Sequence, residues 1–498
     1  MASQNPMIAI VQKAANVCAY CRSRKQGCDR IIPRCSRCAA KNRDCDYTPF
    51  QDVHHHVESG KDPSAPLVFF DAECGPDLSP RGRSELLRIA ADYLTRASAT
   101  KTPFCLLVAD IFDEWQTNLP ALMDQYAAAI QPWLPALPLH LVWKQEYLEG
   151  IAHRDEGPSP ILIMFSLLVA RRPCPHKEHN STNVLYTTIK QVVAVMQTSN
   201  KLHLDIVQAG LLVAAYECGQ GLARQAHQTL SSCYALLNLI DTDTKRRSVP
   251  DTIEDYVPFL RSSVLVMDRM IATSVLDYSI PLVCPLSGEY HKRLEEALSY
   301  TVPPKPEPYV LGGEWKRIVT AQVTLVAGRV TEYVQALRFS SQPSEDYGSI
   351  DGAISSMVRQ LMATNHEHTW HMCDAIALAL MSLLALHQAQ VQYGDPKDSV
   401  LAHLALQTSA QMAWDMCRNT VRIVVGKDVS GYPLAGLIFV FRAGVMAVET
   451  MGDSAPSAEV VLFLDTLRWF ETRWSVGGEY VRLVEDIANQ LKGNSMED

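Results

Sequence analysis

Six of the chain's 14 cysteines fall between residues 18 and 45, at positions 18, 21, 28, 35, 38 and 45. The spacing is Cys-x2-Cys-x6-Cys, six residues, then the same pattern again, so each cysteine of the first half has a counterpart 17 residues later. Thiols in that density either pair as disulfides or, as thiolates, hold a metal. So short a segment has too little apolar content to fold on a core of its own, which makes bound metal the expected source of its folding energy, with zinc first among candidates.

One tetrahedral zinc takes four thiolates and strands two, whereas two zincs need eight ligand positions. Six cysteines supply eight if two of them bridge. The duplication favours a bridging pair at equivalent positions, and Cys18 and Cys35 open the two halves. One zinc then takes Cys18, Cys21, Cys28 and Cys35, and the other Cys18, Cys35, Cys38 and Cys45. A mononuclear zinc ribbon with two spare thiols and a redox or metallothionein-like cluster are the alternatives. The repeat argues against both.

The cysteines are interleaved with cations. Between Lys13 and Asp46 stand Lys13, Arg22, Arg24, Lys25, Arg30, Arg34, Arg37, Lys41 and Arg43 against Asp29, Asp44 and Asp46, a balance of +6. Six thiolates and two zinc ions would reduce this to +4. The whole chain carries -9, so the remainder is acidic at -15. A compact cationic unit on an acidic chain predicts local attraction to the phosphates of double-stranded DNA, with steep salt dependence. The first half, with Arg22, Arg24 and Lys25 between its second and third cysteines, is the half expected to face the duplex, because the second half dilutes Lys41 and Arg43 with Asp44.

Residues 18 to 45 strongly resemble the binuclear zinc cluster DNA-binding domain of fungal transcription regulators. The resemblance implies two zinc ions, bridging by Cys18 and Cys35, and a short helix after the second cysteine whose C-terminal end enters the major groove. It places Lys25 as the reader of a CGG-type half-site, consistent with the acceptors that guanine presents there. Arg22 and Arg24 are then phosphate contacts, with Arg34 and Arg37 as further DNA-binding candidates. Gly27 stands where relatives carry a basic residue before the third cysteine, so one phosphate contact is absent. Pro33 matches the proline that turns the chain between halves, often through a cis bond. A nuclear, non-enzymatic regulator of transcription by RNA polymerase II follows from the same resemblance, with a homodimer and the transcription machinery as partners.

Behind this unit, residues 46–66 are polar, rich in turn formers and without apolar period, and read as a linker. No heptad run follows. His54, His55 and His56 lie in the linker and read as solvated side chains. From about residue 81 the pattern is helical. Ala226, Leu230, Cys233, Leu237 and Ile240 line one face, as do Val207, Leu211 and Ala215, with Gly219 and Gly221 able to end the second of these helices. Val323, Val326, Val330 and Val334 repeat the pattern. Apolar blocks at 375–386 and 459–470 continue it, with breaks at Pro303 to Pro306 and at Ser341 to Gly352. Strand alternation is nowhere sustained. The expected organisation is mostly α: a tail at 1–17, the zinc cluster at 18–45, the linker, and one large all-α multi-helical regulatory domain at 67–498.

Two segments, beginning at Tyr126 and Val207, resemble the helical regulatory region of such regulators, of a kind often found controlling secondary-metabolite gene clusters. The longest apolar stretches, Ile161 to Ala170 and Ala375 to Leu386, stop short of the roughly 20 residues that cross a bilayer, so no membrane span is expected. The N-terminal residues lack the basic start and apolar run of a secretory signal.

The remainder contains no nucleophile elbow, P-loop or dinucleotide fingerprint. The outer histidines of His366-Glu367-His368-Thr369-Trp370-His371 are five apart rather than four, which puts them on different helical faces. Cys174, His176 and His179 lie near prolines with no fourth ligand. Cys74, Cys105, Cys218, Cys233, Cys284, Cys373 and Cys417 read as small buried hydrophobes. The rival readings are a metabolite receptor or enzyme domain tethered to a zinc module, and an interaction scaffold whose cysteine unit binds protein.

Overall fold

The apolar periodicities form helices, and the computed structural model divides the chain into two units, Met1–Ala65 and Pro66–Asp498. It describes residues 17–18, 20–21, 24–31, 34–43, 45, 65–71, 75–95, 103–116, 119–137, 168–169, 183–198, 204–246, 257–288, 291–292, 295–296, 312–364, 373–395, 399–424, 428–451 and 457–494. Among the described residues of the first unit, α1 (Ser36–Ala40) is the helix whose bounds are defined. The buried side chains among those residues, Cys18, Cys21, Cys35 and Cys38, are cysteines rather than aliphatics.

The second unit opens on a feature the sequence reading does not anticipate, an antiparallel hairpin of β1 (Val68–Asp71) and β2 (Gly75–Leu78). Four residues per strand are too few for alternation to register. Carboxylates fasten it: Glu114 accepts from the Leu67 and Val68 amides, and Asp77 accepts from those of Val184 and Leu185. The hairpin leads into α2 (Pro80–Thr95), α3 (Pro103–Glu114) and α4 (Leu119–Ala129). The motif that starts at Tyr126 is the end of α4 and the turn beyond it, where Trp133 and Leu134 are buried.

After α5 (Val184–Gln197), the helical hairpin expected around Gly219 is present as α6 (Leu204–Gly219) and α7 (Ala223–Arg246). All five residues of the predicted α7 face are buried. For α6 the expectation of a single apolar face is too narrow. Every residue from Ile206 to Gly219 is buried, because α5, α7 and α8 (Val257–Ser274) enclose it. Gly210 allows the close approach: a Cβ there would stand 2.2 Å from the Cys233 Sγ. The helix ends in a Schellman turn, with Leu222 N bonded to Glu217 O at 2.8 Å and Gly221 at φ 80°.

Further helices with described bounds are α9 (Gly312–Arg338), α10 (Tyr347–Thr364), α11 (Cys373–Tyr393), α12 (Ser399–Val424), α13 (Leu434–Met451), α14 (Ser457–Glu471) and α15 (Val476–Asn494). The break foreseen at 341–352 is shorter than the sequence suggests. Asp346 caps α10 by accepting from the Ser349 amide at 3.0 Å, so Gly348 and Gly352 fall inside the helix. α11 is long and apolar enough by composition to span a bilayer, which the uninterrupted block at 375–386 understates. In the fold it is a core helix, packed against α9, α10, α12 and α13, with 89% of its most apolar stretch buried.

Candidate metal and nucleic-acid site

The sequence duplication is also a duplication of backbone. Cys35 caps α1 from an extended conformation, its Sγ accepting from the Cys38 amide. The helix then closes in a Schellman turn: Arg43 N bonds Cys38 O at 2.9 Å, Asn42 N bonds Ala39 O, and Asn42 is left-handed at φ 43°. Seventeen residues earlier, Gln26 N bonds Cys21 O at the same 2.9 Å, and Lys25 is left-handed at φ 50°. Each half is one helical turn held shut between its second and third cysteines.

These turns bring six sulfurs together. The Sγ atoms of Cys18, Cys21, Cys28 and Cys35 lie within 4.8 Å of one another, and so do those of Cys18, Cys35, Cys38 and Cys45. Cys18 and Cys35 belong to both groups. The separations Cys18–Cys35, Cys21–Cys35 and Cys18–Cys28 are 3.8 Å, and Cys18–Cys38 is 3.7 Å. A zinc–sulfur bond of about 2.3 Å in a tetrahedron requires sulfur–sulfur edges of about 3.8 Å. The same separations exclude a disulfide, whose sulfurs lie about 2.05 Å apart. The donor set and its spacing therefore fit zinc in two overlapping tetrads.

Electrostatics point the same way. Burial pushes the Cys18, Cys35 and Cys38 thiols up, Cys35 to about 12, whereas the burial of Cys28 is outweighed by hydrogen bonds that bring it down to about 7, so the three buried sulfurs favour the neutral thiol unless a cation lies among them. A coordinated divalent ion supplies that charge and deprotonates its ligands. Cys28 and Cys45 lie nearer the surface, and the Cys45 Sγ accepts from the Cys35 amide at 3.2 Å.

Among the candidate DNA contacts, Arg24 and Lys25 share the first Schellman turn and are exposed. The Arg24 guanidinium lies 5.7 Å from the centre of the Tyr20 ring. Arg37, from α1, donates to the Gln26 side chain at 2.9 Å and so ties the second half to the turn that carries Lys25. Arg34 is exposed immediately before Cys35. Arg22 and Pro33 lie outside the described residues.

Sequence reasoning missed Asp29. Its carboxylate accepts from the Ser36 amide at 3.1 Å through both oxygens, which anchors the start of α1, and the Ser36 hydrogen bonds hold its pKa below the usual carboxylate range. An acidic residue among nine cations reads from sequence as a loss of charge, and nothing in the spacing marks it as an anchor for the helix start.

The dispersed cysteines behave as expected of small apolar groups. Cys218, Cys233, Cys284 and Cys417 are buried, and burial pushes the thiols of Cys218, Cys233 and the half-buried Cys373 up to about 12. Cys74, His54 to His56, the Cys174, His176 and His179 group and the run from His366 to His371 lie outside the described residues, as does the side chain of Cys105.

Residues 16–53 match the fungal Zn(2)-Cys(6) binuclear cluster domain. A curated relative, the depudecin biosynthesis cluster-specific transcription activator of Fusarium langsethiae, is 22% identical over 296 residues. The aligned region spans 46% of this chain and 48% of that protein, about half of each. No solved structure matches the chain.

Proposed function

With residues 16–53 established as a fungal Zn(2)-Cys(6) binuclear cluster domain, which binds two zinc ions, we propose that the chain is a sequence-specific DNA-binding regulator of transcription by RNA polymerase II. The observation that carries the reading is the pair of overlapping sulfur tetrads with shared members Cys18 and Cys35. In this reading one zinc is held by Cys18, Cys21, Cys28 and Cys35 and the other by Cys18, Cys35, Cys38 and Cys45. The metals supply folding energy and fix the two helical turns.

Lys25 then reads guanine O6 and N7 in the major groove of a CGG-type half-site. Its position at the C-terminal end of the first turn, exposed and outside the metal cage, supports this role. Arg22 and Arg24 contact phosphate. Arg34 and Arg37 extend the cationic surface from the second half, with Arg37 also bracing Gln26. The protein acts in the nucleus, as a homodimer, and the helical unit at 67–498 carries regulation, dimerisation and contact with the transcription machinery. Similarity to an activator of a biosynthesis cluster supports control of secondary-metabolite genes.

Titration of the zinc-loaded chain with duplexes containing CGG half-sites, and with scrambled duplexes, at several salt concentrations tests the reading. Specific binding that weakens steeply with salt is expected. Equal affinity for both duplexes, with two zincs bound, would overturn it.

A further inference from the structure

Beside Lys25 the two halves of the cluster are joined through one uncharged side chain. Arg24, Lys25 and Gly27 are exposed, whereas Gln26 among them is half-buried. It is held twice. Its main-chain amide bonds Cys21 O at 2.9 Å and closes the first Schellman turn, while its side-chain Oε1 accepts from the Arg37 guanidinium of α1, also at 2.9 Å. Three residues on, Asp29 accepts from the Ser36 amide at 3.1 Å, so the segment around Cys28 is strapped to α1 on both sides. No aliphatic core lies among the described residues of this unit, which leaves the straps and the shared sulfurs to fix one half against the other. The 17-residue repeat puts Arg43 and Tyr20 at the positions that match Gln26 and Arg37, so the amide–guanidinium pair is not duplicated and belongs to the side that carries Lys25.

We propose that the Arg37–Gln26 hydrogen bond positions Lys25 for base reading. Gln26 and Arg37 are then specificity-determining residues that act through the backbone of the turn rather than by touching a base. The inference rests on the assignment of base reading to Lys25 made above. Lys25 is left-handed at φ 50° and its C-terminal peptide is the one that Gln26 anchors, so whatever fixes Gln26 fixes the turn from which the lysine projects. A lysine on a loosened turn still attracts phosphate, but it loses alignment with guanine O6 and N7. Gln26 carries no charge, so its contribution falls on sequence preference and leaves counterion release alone.

Competition titrations of the full-length, zinc-loaded chain with CGG-containing duplexes and their single-base variants, at several salt concentrations, test the proposal. Gln26→Ala should keep two zincs by elemental analysis and the parent salt slope, and should lower the preference for CGG about threefold to tenfold, the worth of one exposed hydrogen bond. Gln26→Glu keeps an acceptor for Arg37, so it should retain most of the preference while binding every duplex more weakly. In an Arg37→Ala background, Gln26→Ala should have no further effect on preference. Parental preference in Gln26→Ala would overturn the proposal, as would a loss in Gln26→Glu as large as that in Gln26→Ala. Additive losses in the double variant would also overturn it, because Gln26 would then touch the DNA itself. A parent chain with two zincs and no preference for CGG would instead refute the reading of Lys25, and the proposal with it.

Discussion

Lys25 and Asn42, 17 residues apart, occupy the same left-handed position at the end of two copies of one helical turn, at φ 50° and 43°. Asparagine tolerates that conformation, whereas lysine bears a cost of about 1 to 2 kcal/mol. The strained position in the first copy carries the exposed cation to which base reading is assigned in the proposed function. The duplicated fold thus contains an asymmetry: one copy ends on a cation, the other on an amide.

That asymmetry yields a first prediction. Lys25→Ala should leave zinc content unchanged and relax preference for the half-site by about 1 to 3 kcal/mol. Asn42→Ala should leave the sequence preference intact. Competition binding with single-base variants of the half-site, alongside elemental analysis, measures both.

Metal stoichiometry separates the shared from the unshared sulfurs. Cys18→Ala removes a member of both tetrads and should take zinc from two equivalents towards none. Cys45→Ala touches one tetrad and should retain about one equivalent. Elemental analysis of the purified chain reads the difference, and equal losses in the two variants would contradict bridging by Cys18.

Gly219 ends α6 against Trp474, and a Cβ there would lie 2.1 Å from the ring. Gly219→Ala should therefore destabilise the helical unit by about 1 to 3 kcal/mol through overpacking. Denaturant unfolding followed by far-ultraviolet circular dichroism tests this, with Gly352→Ala as the comparison: inside α10 and with nothing within 4 Å of its Cβ, it should stabilise by up to about 1 kcal/mol.

His291 predicts how stability responds to mild acid. Burial, then the Arg269 guanidinium, lower its pKa from the ordinary 6.5, with Arg329 adding to the shift and Glu295 opposing it. The folded state resists protonation that the unfolded state accepts, so this contribution is present above pH 6.5 and is lost as the pH falls towards the lowered value. Melting temperature should decline over that window in the parent chain. His291→Gln should flatten the decline.

Much of the site was legible before any coordinates. The repeated cysteine spacing supplies six candidate ligands and favours two zinc ions with a symmetric bridging pair, because thiolate coordination depends on residue type and reach. Net charge and its distribution place the cationic surface. Helical periodicity in α7 and in the valines of α9 likewise survives into the fold, since an apolar face must be covered wherever the helix lies. The hairpin at 68–78, the full enclosure of α6 and the core position of α11 were not legible, because each depends on which partners arrive from distant sequence.

The sequence by itself determined the chemistry of the cluster: six sulfurs in two matched halves, enough for two zincs, set among cations. Tertiary structure alone decided that Asp29 anchors the first turn of α1, that Arg37 braces Gln26, and that α6 is enclosed on every side. The physical reason is the reach of the interactions. Metal ligation and charge are properties of residue type at short spacing, whereas capping, bracing and cavities arise only when packing brings separate segments within hydrogen-bonding distance.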